Sequence, residues 1–150
     1  MNSAAAPGAP LRAGNGHHVT SGDALLSRWM RQSAPIMVLD TSGDVDGHQR
    51  LSEVMLSTVR AGWSITSVTE EFIERPVPAD CRAFVAIPRA DTYPVDSIVS
   101  TIERILRDDP HRRIMLESSD HSWTQNFATS CPELLYVVVT RRPLRMVAPA

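Results

Sequence analysis

The run Ile36-Met37-Val38-Leu39-Asp40-Thr41-Ser42-Gly43-Asp44 constrains the fold more than any other stretch of this chain. Four apolar residues end in an aspartate, a small polar turn containing glycine follows, and an amphipathic helix pattern opens near Gly47. A strand that is apolar on both faces needs cover on both faces, the condition met by a parallel sheet between two layers of helices. The run therefore reads as the first strand of an open α/β sheet, with Asp40 delivered to the sheet's carboxyl edge. Ligands of such sheets bind at that edge, beside the point where strand order reverses.

The rest of the chain keeps the alternation going. Asp23 can cap a short helix over 23–33 with Leu25, Leu26, Trp29 and Met30 on one face, stopped by Pro35. A helix from His48 to Ala61 carries the apolar stripe Leu51, Val54, Met55 and Val59, and Gly62 stops it. Ser64–Thr69 alternates like a half-exposed strand, and a charged segment with two prolines, Glu70 to Asp80, follows. Ala83–Ile87 is continuously apolar. Val95, Ile98, Val99, Ile102, Ile105 and Leu106 make the clearest helical stripe, ended by Asp108-Asp109-Pro110. Ile114–Leu116 is a short buried strand. Trp123 and Phe127 share a helix capped by Asp120 or Ser122, and Leu134–Thr140 is the last strand, broken by Arg141-Arg142-Pro143.

These elements predict a three-layer α/β sandwich around a mostly parallel five-stranded sheet of order 2-1-3-4-5. Residues 1–22, rich in Ala, Pro, Gly and Ser, read as a flexible tail without the apolar core of a signal peptide. Residues 23–150 read as one domain, with its core over 35–145. An antiparallel hairpin of Ile65–Val68 with Ala83–Ile87 is the structural rival. Net charge is −2 over 150 residues, which offers no electrostatic case for nucleic acid or an anionic membrane, and no apolar run is long enough to span a bilayer. Cys81 and Cys131, without a CxxC, read as free thiols of a cytoplasmic protein.

The expected order places the ends of strands one, three and four side by side. Asp40 with Asp44, Asp91 with Thr92, and Glu117 with Ser118 and Asp120 then line one acidic edge. Converging carboxylates repel unless a cation relieves them, so Asp40, Asp44 and Asp120 are candidate ligands of Mg²⁺. Without a metal, the same residues serve as caps and turn formers. Arg141, with Arg142, could bind an anion at this edge or pair with its acids. His121, beside Asp120 and near Ser118 and Ser119, raises nucleophilic catalysis, but no G-x-S-x-G elbow is present and a surface turn is the preferred reading. Ser42-x-Asp44-x-Asp46-Gly47 with Glu53 only partly matches an EF-hand loop, and follows a strand where that motif follows a helix.

Two resemblances rest on these residues. From Ile87-Pro88 through ERILRDDPHRRIMLESSD to Thr140-Arg141-Arg142-Pro143, the spacing resembles a response-regulator receiver domain, a flavodoxin-like fold. The resemblance implies Asp40 in an acidic pocket, Ser118 at the end of strand four, and Arg where the family has Lys before Pro. No Asp ends strand three, so it implies a receiver-like domain without the usual phospho-acceptor, with Asp91 a displaced candidate. Asp40-Thr41-Ser42-Gly43-Asp44 also resembles the Asp-x-Ser-x-Ser element of von Willebrand factor A domains, which implies a metal site of Asp40, Ser42, Asp44, Thr92 and Asp120. The expected function is a non-catalytic regulatory or protein-interaction module. A metal-dependent binding domain is the alternative, and a hydrolase or transferase using the acidic edge the third reading. A protein partner or a homodimer, formed where the last strand lacks cover, completes the expectation.

Overall fold

Ser21 caps the first helix by accepting the N–H of Ala24 on its Oγ (3.2 Å), so α1 (Gly22–Met30) starts one residue before the Asp23 expected to cap it. In this computed structural model the residues described are 21–68, 84–131 and 135–142. The expectations for the tail 1–20, for the charged segment with Cys81, for Leu134 and for the end from Pro143 lie outside them. The described elements continue as β1 (Ile36–Asp44), α2 (Arg50–Arg60), β2 (Ile65–Ser67), β3 (Phe84–Ile87), α3 (Val95–Asp108), β4 (Arg113–Ser118), α4 (His121–Ser130) and β5 (Leu135–Arg142). Single 3₁₀ turns at Gly47–Gln49 and Ala90–Thr92 lead into α2 and α3. No helix of the described residues is long and apolar enough to cross a membrane.

All five strands run parallel, which excludes the hairpin rival, since Ile65–Ser67 pairs in parallel with Phe84–Ala86. Their order is β2-β3-β4-β1-β5. This corrects the expected 2-1-3-4-5 and with it the flavodoxin-like, receiver-like topology. β1 lies between β4 and β5, with Ile36–Asp40 in register with Ile114–Ser118 on one side and Leu135–Val139 on the other. β1, β3 and β4 each carry buried apolar residues on both faces, and that pattern marks burial without naming a neighbour.

The connections explain the layers. The path from β1 through α2 to β2 passes β4 and β3, whereas the path from β4 through α4 to β5 passes β1 in the opposite direction. Right-handed crossovers that travel in opposite directions set their helices on opposite faces. Accordingly, α1 and α2 bury Leu25, Leu26, Trp29, Leu51 and Val54 against Met37, Leu39, Phe84, Met115 and Val138. α3 and α4 bury Ile98, Ile102, Ile105, Trp123 and Phe127 against Ile36, Val38, Val85, Ile114, Leu116 and Val137. Each fully buried Ile or Phe contributes roughly 2 kcal/mol of apolar transfer. Trp29, fully buried, donates its indole N–H to the Ala34 carbonyl (2.9 Å) and meets the Phe84 ring edge-on at 5.7 Å, while the Arg113 guanidinium covers its face at 5.4 Å.

β1 does not end at Asp40. The predicted turn Thr41–Asp44 continues as strand, and β5 extends alongside it to Arg142. The pairing shifts within this stretch: Asp40 lies opposite Val139, but Gly43 lies opposite Arg141. Three steps along β1 match two along β5, which is a bulge of one extra residue. Side chains alternate between faces with period two, so one extra residue exchanges the faces beyond it. Asp40 shares the α3/α4 face with Ile36 and Val38, and Asp44 turns to the α2 face. Gly47 follows because a Cβ there would lie 2.6 Å from the Thr41 Cβ.

Candidate functional site

Asp40 is fully buried at the point where the two crossovers diverge, and its carboxylate is held from both sides. Oδ1 accepts the Ser42 hydroxyl at 2.6 Å and the Ser42 backbone N–H at 3.0 Å. Oδ2 lies 2.6 Å from Nδ1 of His121. Burial by itself would raise the Asp40 pKa. The Ser42 hydroxyl and amide and the His121 ring outweigh that cost, and the carboxyl sits below its ordinary value. An ionised carboxylate can only accept, so the Nδ1 of His121 carries the hydrogen and donates it. That places the lone pair of the neutral ring on Nε2. The His121 side chain is 47% exposed, so half of this pair meets solvent while the other half is sealed.

Local sequence explains how His121 reaches that position. Ser118 ends β4 directly beside Asp40. Its hydroxyl donates to the Asp120 carbonyl (2.9 Å) and accepts the Asp120 N–H (3.2 Å), which turns the chain sharply. Asp120 caps α4 by accepting the Trp123 N–H on Oδ1 (3.2 Å). His121 is then the first residue of α4. Thr41 steadies the base of the site by donating its hydroxyl to the Ser118 carbonyl (3.3 Å).

The other expected site residues are placed separately. Asp44 points to the far face, where its carboxylate receives Arg50 Nε at 2.7 Å and Nη2 at 3.4 Å. Burial pushes its pKa up, and Arg50, the Asp46 amide and Thr140 more than reverse this, so it too lies below its ordinary value. Asp91 accepts the Ser119 hydroxyl (3.0 Å), and Thr92 donates its own to the Arg89 carbonyl (2.7 Å). Arg141 pairs through its backbone with Gly43. The three expected metal ligands are thus divided between a histidine, an arginine and a helix cap. Among the described residues, no group of three or more His, Cys, Asp or Glu could hold a metal ion.

Glu117 is a further buried carboxylate at this edge. It accepts the Arg89 N–H at 3.2 Å, and burial, followed by the nearby Asp91 charge, leaves its pKa above the ordinary value. Arg89 holds a left-handed backbone at φ 52°, uncommon for a residue with a side chain. At the other end of α4, the free Cys131 thiol is pushed up to about 11 by burial, which makes it a poor nucleophile.

The sequence singled out Asp40 and Ser42 but set His121 aside as a turn residue. Eighty-one positions separate Asp40 from His121, and no local pattern links them. Compared with known proteins, the chain matches no family model, no curated protein and no solved structure. Its fold and its site define it as an α/β protein with a parallel sheet and a buried aspartate paired with a half-exposed histidine at the carboxyl edge.

Proposed function

We propose that this domain is a small hydrolase or transferase in which His121 is the general base. The observation that carries the reading is the 2.6 Å contact between a fully buried Asp40 and a half-exposed His121. A buried carboxylate on Nδ1 fixes the tautomer and ring orientation and stabilises the imidazolium that forms when Nε2 takes a proton. Asp40 is then a positioning residue, and Ser42 holds it by occupying Oδ1. Nε2 would remove a proton from a water or a substrate hydroxyl and return it to the leaving group. The location agrees with the chemistry, because the edge where crossovers diverge is where open parallel sheets bind ligands.

Hydrolysis of p-nitrophenyl acetate, a generic acyl probe, tests the reading. The expected result is saturable turnover that His121→Gln abolishes and Asp40→Asn reduces by at least about a hundredfold, with unfolding temperatures little changed. Equal rates in the wild type and in His121→Gln would sink it. The non-catalytic, protein-interaction reading rests on a different observation, an apolar solvent-facing stripe on α2. It would gain if neither substitution changed the rate.

A further inference from the structure

α2 is apolar on two faces. Its inner face buries Leu51, Val54, Ser57 and Thr58. Its outer face carries Leu56, 54% exposed, and Val59, 53% exposed, and Trp63, 44% exposed, follows just beyond the helix end. Among the described residues these are three of the five large apolar side chains that stand exposed. Gly62, at φ +94°, and the Trp63 N–H, which donates to the Thr58 carbonyl at 3.1 Å, close the helix and turn the Trp63 ring edge-on to the buried Phe84 ring at 5.7 Å, so Trp63 leaves the outer face to Leu56 and Val59. With the exposed Ser52, Leu56 and Val59 step by four and three residues, the spacing of successive d and a positions in a coiled-coil seam.

The charges beside the seam select the partner and its direction. With Leu56 at a and Val59 at d, Glu53 and Arg60 both fall at e. In a parallel pair e faces g, and here the g positions are Met55 and Gly62, which carry no charge. In an antiparallel pair e faces e, and Glu53 of one copy meets Arg60 of the other. That same register sets Leu56 against Val59. Glu53 and Arg60 keep side-chain exposures of 40% and 57% despite their contacts with Arg50 and Asp23, so both can reach across. We propose that the outer face of α2 is the surface through which two copies of this chain associate, as an antiparallel two-fold dimer. This surface differs from the last-strand edge that the sequence suggested. A contact made by one helix from each copy falls below about 1,200 Å², so association is weak and concentration-dependent.

Sedimentation velocity of the full chain over a concentration series tests the dimer. The expected result is a concentration-dependent shift from monomer to dimer that Leu56→Glu abolishes while leaving the unfolding temperature of the monomer unchanged. Glu53→Lys and Arg60→Glu each place like charges across both rims and should weaken association by about tenfold. Combined in one chain, they should restore it to within about threefold of wild type. A monomer at every concentration overturns the proposal, as does a dimer indifferent to Leu56→Glu. A lowered unfolding temperature in Leu56→Glu without a dimer in the wild type would mean that the chain covers the stripe itself, which overturns it too. Failure of the double variant to recover overturns the antiparallel pairing.

Discussion

Asp40 and Asp44 stand four residues apart on one strand, both buried and both held ionised, yet they do opposite things. Asp44 faces Arg50, whose side chain is 2% exposed and which also contacts Glu53 at 2.9 Å and Asp46 at 3.9 Å. Both members of that pair are closed to solvent, and an arginine does not give up its proton. Asp40 faces a histidine that can exchange protons and that stands half in water. The difference comes from the bulge between them, which sends one carboxylate to the start of α2 and the other to the start of α4. The closed pair staples β1 to α2. The open pair is where chemistry can occur, because only there does a titratable partner reach solvent.

Substitution at the two aspartates should separate these roles. Asp44→Ala leaves Arg50 buried with one strong partner removed, and is expected to lower stability by about 3 kcal/mol in urea unfolding. A loss under about 1 kcal/mol would put the closed pair on the same footing as the open one. Gly47→Ala, which forces a Cβ onto Thr41, should cost about 2 kcal/mol by the same measurement. Asp40→Ala should cost only about 1 kcal/mol, since Ser42 and His121 can both turn to water.

Acid should act on both aspartates in the same direction. Each binds a proton more weakly in the folded chain than at the ordinary value of 3.8, so its stabilisation is complete above that pH. It is lost as pH falls through the lower folded values. An acid melt of Asp44→Ala should therefore be shallower than that of the wild type. Glu117 works the other way. Its folded pKa is raised above 4.5, so its charge costs stability at neutral pH, and the cost fades as pH falls through the folded value. Glu117→Gln keeps an acceptor for the Arg89 N–H and should stabilise by less than about 1 kcal/mol at pH 7, with the gain vanishing in acid. A loss at pH 7 would show that the carboxylate charge itself holds the Arg89 loop.

Periodicity carried much of the fold. The stripe from Val95 to Leu106 needed only helical spacing to be recognised, and α3 runs from Val95 to Asp108. The apolar runs at 36–39, 84–87 and 114–116 became central strands because nothing but a doubly covered sheet can bury both their faces. Val59 shows where this logic stops. It fits the inner stripe of α2 by composition but lies on the outer face, and Ser57 and Thr58 are buried in its stead. Thr58 can be inside because its hydroxyl donates to the Val54 carbonyl (2.8 Å), which removes the cost of burying it.

The sequence by itself determined which segments become strands and helices, that the sheet is covered on both sides, and that Asp40 reaches its carboxyl edge. These follow from local spacing and turn chemistry, which act within a few residues. Only the tertiary structure decided that β1 lies between β4 and β5, that a bulge parts Asp40 from Asp44, and that His121 closes on Asp40. Strand order, register and long-range pairing depend on which apolar surfaces meet in space, and many strands of equal hydrophobicity offer the same local pattern. The run Ile36–Asp44 therefore supplied the buried aspartate of the pair, and the chain 81 residues further on supplied its histidine.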